Sequence, residues 1–316
     1  MPVQQNEIGG FFSLENYGVE LYHKNAILLN SARNALRYII RTFHIKEIYI
    51  PYYTCPVVID SIAKENCQYQ FYDIDSNFLP VLRQPTESFL LYTDYFGICT
   101  ENVKTLEKKN RKMIVDNAQS FFSTASGIAC FYSPRKFFGL PDGGIAVTNR
   151  ECGQSILEED LSYERMSHLI KRPELGAEVS YTDFKENDSK LDNLPIKKMS
   201  SLTRLLMGNI NYKRVKRKRR ENFAFLHNVF NKINKLKINF NNKTVPMVYP
   251  LLIERPELRK KLINNKIYVA KYWEGLSHII PYNSYSNYLV ENLIPLPIDQ
   301  RYNLKDMNRI LEVIHG

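Results

Sequence analysis

Apolar residues recur along the first half of the chain with two alternating periods. The segment LNSARNALRYIIRTF opens with polar residues suited to a helix start and then places Leu36, Ile39, Ile40 and Phe43 on one helical face. PVVIDSIAKEN also has helical spacing. Short runs rich in β-branched and aromatic residues surround these helices: IKEIYIPYY, QYQFYDID, SFLLYTDYFG, KMIVDNAQ, GIACFYS and GGIAVTN. The pattern predicts strands that alternate with helices.

This alternation is typical of the α/β class, with a mostly parallel central sheet that helices cover on both faces. In such sheets a ligand binds outside the carboxyl ends of the strands. Functional residues are therefore expected directly after the apolar runs.

The remaining chain predicts a second, smaller unit. Residues 150–198 are polar and weakly periodic, so we expect an irregular surface segment. A helical stretch begins near Ser200, TVPMVYPLLI has the composition of a strand, and LKDMNRILEVIHG is an amphipathic helix. We predict a large domain over residues 1–200, and a connecting helix with a small α/β domain over 201–316.

Composition narrows the class of protein. The 316 residues include 21 Tyr and 17 Phe, which indicates a folded chain because disordered chains lack aromatic residues. No apolar run approaches the about 20 residues of a membrane span. The segment MPVQQNEIGGFFSLE lacks the features of a signal peptide, so we expect a cytoplasmic protein. The 5 cysteines form no CxxC pair and suggest small buried residues instead of a metal site.

The formal charge of +10 comes from one part of the chain. Ten Lys or Arg residues and no acid lie between Lys197 and Arg220, and the other 33 basic residues match the 33 Asp and Glu. No nucleic-acid reading motif accompanies this run, so we predict no nucleic-acid partner. A solvated helix face is the favoured interpretation. Attraction of an anionic substrate or an anionic membrane surface is the alternative.

Two candidate groups for binding chemistry lie at predicted element ends. Asn30-Ser31-Ala32-Arg33 opens a helix, where unpaired amides and partial positive charge can bind phosphate. Taken alone, such a start is usually an ordinary cap. Asp116 ends the strand KMIVDNAQ, where a carboxylate can pair with a protonated pyridine nitrogen, and Gln119 follows three residues later. Taken alone, an Asp after a strand is usually a turn or cap residue.

A lysine and an aromatic pair complete the candidates. Lys136 follows the strand GIACFYS and precedes a Gly-Gly turn, and the adjoining strand and Phe137-Phe138 are expected to desolvate its amine and favour the neutral nucleophile. In isolation it would be interpreted as a surface lysine. Tyr52 and Tyr53 follow another strand, where a ring can stack on a flat heterocycle or pack in the core.

The order of these segments resembles the DegT/StrS sugar aminotransferases, a family of fold-type-I pyridoxal phosphate enzymes. The similarity spans most of the chain, and the ordered set is more specific than any one motif. The matching segments are Gly9 to Phe12, Ser31 to Leu36, Pro51 to Thr54, Asp73 to Asp75, Tyr95 to Gly97, Asp116 to Gln119, Lys136 to Gly144, and the closing IPLPIDQRYNLKDMNRILEVI.

The resemblance implies a fold-type-I architecture, pyridoxal 5′-phosphate as cofactor, and a homodimer with active sites at its two-fold interface. It implies that Lys136 holds the cofactor as a Schiff base and then moves a substrate proton. It also implies that Asp116 keeps the ring nitrogen protonated and that Gln119 meets the ring's phenolic oxygen.

The chain departs from the family at several cofactor positions. The family's glycine and threonine in the phosphate loop are Ala32 and Arg33 here, next to the retained Ser31. The serine five residues before the lysine is replaced by Phe131, while Ser133 lies nearer. The other departures are Cys55 at the second stacking position, which leaves Tyr53 as the stacking candidate, and Asp94 at the position of a histidine.

The implied activity is amino transfer from a donor such as glutamate to a keto sugar, nucleotide-linked, in surface polysaccharide or glycan biosynthesis. Sugar dehydratases of this family carry histidine at the position of Lys136, so the lysine favours transamination. The alternatives are a dehydratase-like enzyme or other amine-transfer chemistry, and a catalytically idle relative that binds a partner through residues 197–220.

Overall fold

The computed structural model describes residues 13–15, 17–18, 20–82, 87–150 and 157–316. The Gly9 to Phe12 segment of the resemblance lies outside these residues.

In the described residues of the first half of the chain, eight strands form one sheet. Its strands, in spatial order, are β1 (Ile27–Leu29), β8 (Gly144–Thr148), β7 (Ala129–Tyr132), β6 (Met113–Asn117), β5 (Phe89–Thr93), β2 (Glu47–Pro51), β3 (Gln68–Ile74) and β4 (Pro80–Val81). The five strands from β7 to β3 are mutually parallel, whereas β8 is antiparallel to both of its neighbours. This is the predicted mostly parallel sheet.

Helices precede, connect and follow the strands. Their bounds are α1 (Ala32–Thr42), α2 (Pro56–Ala63), α3 (Thr100–Lys109), α4 (Ser167–Val179), α5 (Tyr181–Lys190), α6 (Ser201–Gly208), α7 (Tyr212–Phe230), α8 (Leu258–Asn264), α9 (Tyr285–Asn292) and α10 (Leu304–His315).

The sheet is buried on both faces, which explains its continuous apolar runs. Side chains alternate along β5: Leu90 and Tyr92 enter one hydrophobic cluster, and Leu91 enters the cluster on the opposite face. Local sequence fixes the helix starts beside the sheet. The Ser31 hydroxyl accepts a hydrogen bond from Asn34 N at the start of α1, and Pro56 occupies the first turn of α2.

A third cluster surrounds a two-stranded antiparallel sheet of β9 (Val248–Leu252) and β10 (Leu293–Pro297). The amphipathic faces of α7 and α10 cover it, with Phe223 and Phe230 fully buried on α7. This unit falls within the predicted small domain. The domain boundary at residue 200 stays a prediction.

The expectation of an irregular segment over residues 150–198 is wrong. Most of its second half forms α4 and α5. The helical period is weak in the sequence because Pro173 and Gly176 interrupt α4, and Gly176 has a non-helical φ of 82°. The apolar residues Ile170 and Val179 are also exposed, so no single buried stripe marks the helices.

Eight of the ten basic residues of the run are helical, as predicted, with Arg204 on α6 and seven on α7, whereas Lys197 and Lys198 precede α6. Lys213, Arg214 and Arg217 are exposed, while Arg219 is buried. No helix in the described part of the chain is long and apolar enough to cross a membrane.

Candidate active site

A cavity of about 1120 Å³ opens at the carboxyl ends of β6 and β7, beside the start of α1. Strand ends contribute Asp116 and Ser133, and helices α4 and α5 contribute the opposite wall. Among the residues that the structure describes, six positively charged and four negatively charged side chains line it: Arg33, Arg135, Lys136, Arg172, Arg219 and Arg301, and Asp116, Glu178, Asp188 and Asp299. The surplus of positive charge suits an anionic ligand.

Asp116 is the penultimate residue of β6, in register with Thr93 and Phe131 on the neighbouring strands. It is 5% exposed, and one carboxylate oxygen accepts a hydrogen bond from Ala118 N at 2.8 Å. Burial raises the pKa of Asp116, and the positive charge of Lys136 acts in the opposite direction. A buried carboxylate in this setting gains from a cationic partner in the cavity.

Lys136 ends a short 3₁₀ turn, Pro134–Lys136, directly after β7. It lines the cavity and is exposed, whereas Phe137 and Phe138 turn into the core. The expectation that apolar neighbours desolvate the amine is therefore wrong, because the Lys136 side chain is exposed. The amine remains accessible to a ligand, opposite in charge to Asp116 in the same cavity.

The start of α1 forms another part of the cavity wall through Ser31, Ala32 and Arg33. The Gly143-Gly144 turn packs directly against it. A Cβ on Gly144 would lie 2.1 Å from the Ser31 carbonyl carbon, and Gly143 has a φ of 119°. Glycine is needed at position 144 because the turn meets the helix start at backbone distance, and at position 143 because other residues rarely adopt this φ.

Two predicted site residues lie apart from the cavity lining. Tyr53 is fully buried, with its ring between those of Tyr95 and Trp273 at 5.7 and 4.7 Å. Cys55 lines the cavity from this segment instead. Gln119 accepts a hydrogen bond from Phe96 N at 2.8 Å through its side-chain oxygen, while its buried amide nitrogen has no partner within the described residues. Their contact with a cofactor stays a prediction.

Sequence reasoning missed a cluster of charged side chains that joins α1, the lysine turn and α5. Arg33 and Arg135 both bind the carboxylate of Asp188, at 3.1 and 3.0 Å. Burial raises the pKa of Asp188, but the charges of both arginines outweigh it, and the pKa lies below its ordinary value. The pairing joins residues far apart in the chain, and no local motif marks it.

Sequence reasoning also missed two side chains that donate hydrogen bonds to the backbone directly after Lys136. The Phe137 carbonyl accepts hydrogen bonds from Gln300 Nε2 at 2.7 Å and from Arg219 at 3.4 Å. Arg219 also donates to the Met247 carbonyl at 2.8 Å. One residue of the basic run thus links the C-terminal unit to the residue that follows Lys136. The helical period of α7, which buries Phe223, was the available signal for its burial.

Asp94, which the resemblance places at a histidine position, does not line the cavity. Its carboxylate accepts hydrogen bonds from Ser120, Ser123 and Thr100 at 2.8, 2.9 and 3.1 Å, and from Cys99 N at 2.9 Å. Burial raises its pKa against these donors. Asp94 therefore organises the loop after β5.

Comparison with solved structures finds this fold among aminotransferases. A DegT DnrJ EryC1 StrS aminotransferase from Brucella abortus covers 94% of this chain and 86% of its own, with 17% identity and a TM-score of 0.65. Helicobacter pylori PseC, an aminotransferase involved in the biosynthesis of pseudoaminic acid, covers 93% and 87%, with 17% identity and a TM-score of 0.60.

A dehydratase shares the fold as well. GDP-4-keto-6-deoxy-D-mannose-3-dehydratase from E. coli, with bound hydrated PLP, covers 92% of this chain and 87% of its own, with 17% identity and a TM-score of 0.63. No protein-family model matches the sequence, and a search of the curated proteins gives no match. The chain has the fold of the DegT DnrJ EryC1 StrS aminotransferases, with its mostly parallel sheet flanked by helices.

Proposed function

We propose that this chain is a pyridoxal phosphate-dependent aminotransferase. The observation that carries the proposal is the cavity at the ends of β6 and β7, which Asp116 and Lys136 both line within an aminotransferase fold. Within the described residues, no group of His, Cys, Asp and Glu is placed to hold a metal ion.

The cavity residues fit pyridoxal phosphate by their chemistry. Lys136 offers an accessible amine for its aldehyde, Asp116 a buried carboxylate for its ring nitrogen, and Arg33 a cation for its phosphate. When bound, the cofactor supplies an electron sink for negative charge at the carbon that carries the amine. The Lys136 amine takes and returns the proton at that carbon, and the Asp116 carboxylate holds the proton at the ring nitrogen.

The acceptor is a keto sugar linked to a nucleotide, and glutamate is the amino donor, as the resemblance implies. Two neighbours support a sugar substrate by their own descriptions, since one acts in pseudoaminic acid biosynthesis and another on a GDP-linked keto sugar. The cationic surplus of the cavity matches a diphosphate-linked substrate. We assign the enzyme to surface polysaccharide or glycan biosynthesis in the cytoplasm.

We further propose a homodimer. Support comes from exposed apolar side chains concentrated between residues 161 and 184, on the segment that also walls the cavity: Leu161, Tyr163, Ile170, Leu175, Val179, Tyr181 and Phe184. Such a patch on a monomer is typical of an interface.

The first test is covalent trapping of the cofactor. We expect the purified chain to absorb as a lysine-bound pyridoxal, and borohydride to fix the cofactor on Lys136, as mapped by peptide mass spectrometry. Lys136→Ala should lose the adduct. Lys171→Ala is the matched control, because Lys171 pairs with Asp183 at 2.7 Å and does not line the cavity. An adduct on another lysine would disprove the site.

Half-reactions then distinguish an aminotransferase from a dehydratase and from a catalytically idle relative. Glutamate should bleach the absorbance of the bound cofactor, and a keto sugar nucleotide from a panel should restore it together with an aminated sugar. Loss of a hydroxyl from the sugar without amination would instead indicate a dehydratase. Binding of the cofactor with no response to any amine would indicate an idle relative.

A further inference from the structure

Two arginines that line the cavity with Lys136, Arg33 and Arg135, have more hydrogen-bond donors than acceptors. Arg33 Nη2 lies 3.1 Å from Asp188 and 3.1 Å from Asp192, and Arg135 Nη1 lies 3.0 Å from the other oxygen of Asp188. The Nε atoms of both arginines are buried without a hydrogen-bond partner in the described part of the chain. Each guanidinium carries five N–H groups, so these carboxylates leave much of the pair's capacity unused.

His168 on α4 adds a third unsatisfied group to this part of the cavity. The residue is 7% exposed, lines the cavity, and its Nδ1 has no described hydrogen-bond partner. Burial and the nearby positive charge of Arg135 lower the pKa of His168, so the ring is neutral near pH 7. A neutral ring can carry its proton on Nδ1 and donate it to an oxygen acceptor.

The arrangement calls for an acceptor with several anionic oxygens. A carboxylate has two oxygens, and Asp188 already divides them between the two arginines. A phosphate monoester offers three oxygens and greater charge, which suits two guanidinium groups and one further donor. The start of α1, which carries Arg33 in its first turn, adds the partial positive charge of a helix N-terminus.

We propose that Arg33, Arg135 and His168 form a phosphate-ester site, and that Asp188 engages the arginines until the phosphate displaces it. The phosphate that we assign is that of pyridoxal phosphate, so this inference deepens the proposed function and rests on it. In the cofactor, the aldehyde and the phosphate-bearing carbon are attached to neighbouring ring atoms. The phosphate must therefore lie beside the lysine that binds the aldehyde, and Arg135 is its chain neighbour.

The test compares the full-length chain, freed of cofactor, in titrations with pyridoxal phosphate and with pyridoxal by calorimetry. The pyridoxal Kd divided by the pyridoxal phosphate Kd measures how much the phosphate group contributes to binding. We expect Arg33→Gln and Arg135→Gln each to reduce this ratio by about 10- to 100-fold, the effect of a charge-assisted hydrogen bond, with pyridoxal binding unchanged. His168→Leu should reduce it by about three- to tenfold, as a neutral hydrogen bond does.

Two controls separate binding from a structural role. Arg37→Gln removes an arginine of the same helix that pairs with Glu65 at 2.7 Å and does not line the cavity, so the ratio should stay at the wild-type value. Asp188→Asn keeps both arginines and removes their carboxylate, and we expect unchanged or several-fold tighter pyridoxal phosphate binding. If the arginines only anchor α5, Asp188→Asn will weaken binding as the arginine variants do, and the proposal is overturned.

A third titration distinguishes the source of the phosphate. UDP is added to chain whose cofactor has been fixed by borohydride. If the arginine variants lower UDP affinity and leave the pyridoxal ratio intact, the site binds the substrate's phosphate and the assignment to the cofactor is overturned. If wild-type chain binds neither pyridoxal compound, the proposed function fails, and UDP or inorganic phosphate titrated into the untreated chain then decides the phosphate site separately. The proposal is also overturned if every arginine variant binds pyridoxal phosphate, UDP and inorganic phosphate with wild-type affinity.

Discussion

At the scale of single residues, two buried carboxylates at the ends of neighbouring strands have different roles. Asp94 is surrounded by three hydroxyls and one amide that satisfy it, and it lies outside the cavity lining. Asp116 receives one described hydrogen bond, from Ala118 N, and lines the cavity with Lys136. Burial is costly for a carboxylate with so few donors, and a bound cation offsets this cost. Asp116 therefore remains the candidate partner of the ring nitrogen.

This difference predicts that Asp116→Asn and Asp94→Asn affect different properties of the protein. Asp116→Asn should keep cofactor binding but reduce amino transfer by well over tenfold, because an amide hydrogen-bonds the ring nitrogen without holding its proton. Single-turnover rates with glutamate and a cofactor titration measure the two effects. A variant with more than about a tenth of the wild-type rate, a loss under roughly 1.4 kcal/mol, would rule out Asp116 as the ring partner.

Asp94→Asn is the matched comparison. It removes a carboxylate from hydroxyl donors that lie outside the cavity. Its main effect should be on thermal stability, and the single-turnover rate of the folded variant should stay within a few-fold of wild type. An equal loss of rate in both variants would show that the chemistry does not distinguish these carboxylates.

At the scale of elements, local pattern predicts the sheet and its flanking helices well. Parallel strands need continuous apolar runs, and Ser31 and Pro56 mark helix starts by chemistry that is visible in the sequence. The order of strands and the position of the α4–α5 segment depend on contacts between distant residues. The joint binding of Arg33 and Arg135 to Asp188 is such a contact, and no spacing rule indicates it.

The same limit applies to side-chain direction. Asp116 near the end of β6 and Lys136 after β7 line one cavity, as expected for carboxyl ends of a parallel sheet. Tyr53 also follows a strand, yet its ring packs between Tyr95 and Trp273 because the C-terminal region supplies an aromatic partner. The sequence places a residue at the sheet edge, whereas packing with Trp273 decides which way the ring turns.

Helix α7 depends on Arg219 for its attachment beside the lysine turn. Burial lowers the pKa of Arg219 to about 10, so the group stays charged near neutral pH and uses its charge on backbone carbonyls. Arg219→Met removes the side-chain donor to the Met247 carbonyl and leaves the Phe137 carbonyl with Gln300 alone, and we expect the free energy of unfolding to fall by about 2–4 kcal/mol. Urea denaturation measures it.

Arg217→Met on the same helix provides the control. Its side chain is 67% exposed and lies 3.7 Å from Glu221, so the expected change is within about 0.5 kcal/mol. Arg219→Lys should recover part of the stability, because an ammonium reaches fewer carbonyls than a guanidinium. Equal stability of the Arg219→Met and Arg217→Met variants would mean that the buried guanidinium contributes nothing to the folded state.

At the scale of the whole molecule, the charge of +10 divides between a neutral body and one basic run. The basic side chains of this run lie in different surroundings. Arg219 is buried, Lys218 pairs with Glu221 at 3.2 Å, and Lys216 lies 5.5 Å from the ring centroid of Tyr22. Lys213, Arg214 and Arg217 are left as the exposed cations of α7. These three charges of α7, together with the exposed Lys198 before α6, attract anions in general without selecting a nucleic acid.

The last prediction follows from this division of charge. The triple variant Lys213→Gln, Arg214→Gln and Arg217→Gln should fold normally and keep amino transfer within a few-fold of wild type, because none of these residues lines the cavity. The wild-type chain should bind duplex DNA only weakly and lose it as salt rises, with a slope of about −0.9 per phosphate contact. Fluorescence anisotropy across a salt series measures DNA binding by the wild-type chain and by the triple variant. Tight binding at physiological salt that disappears in the triple variant would contradict a plain helix surface and add a nucleic-acid function to the enzyme.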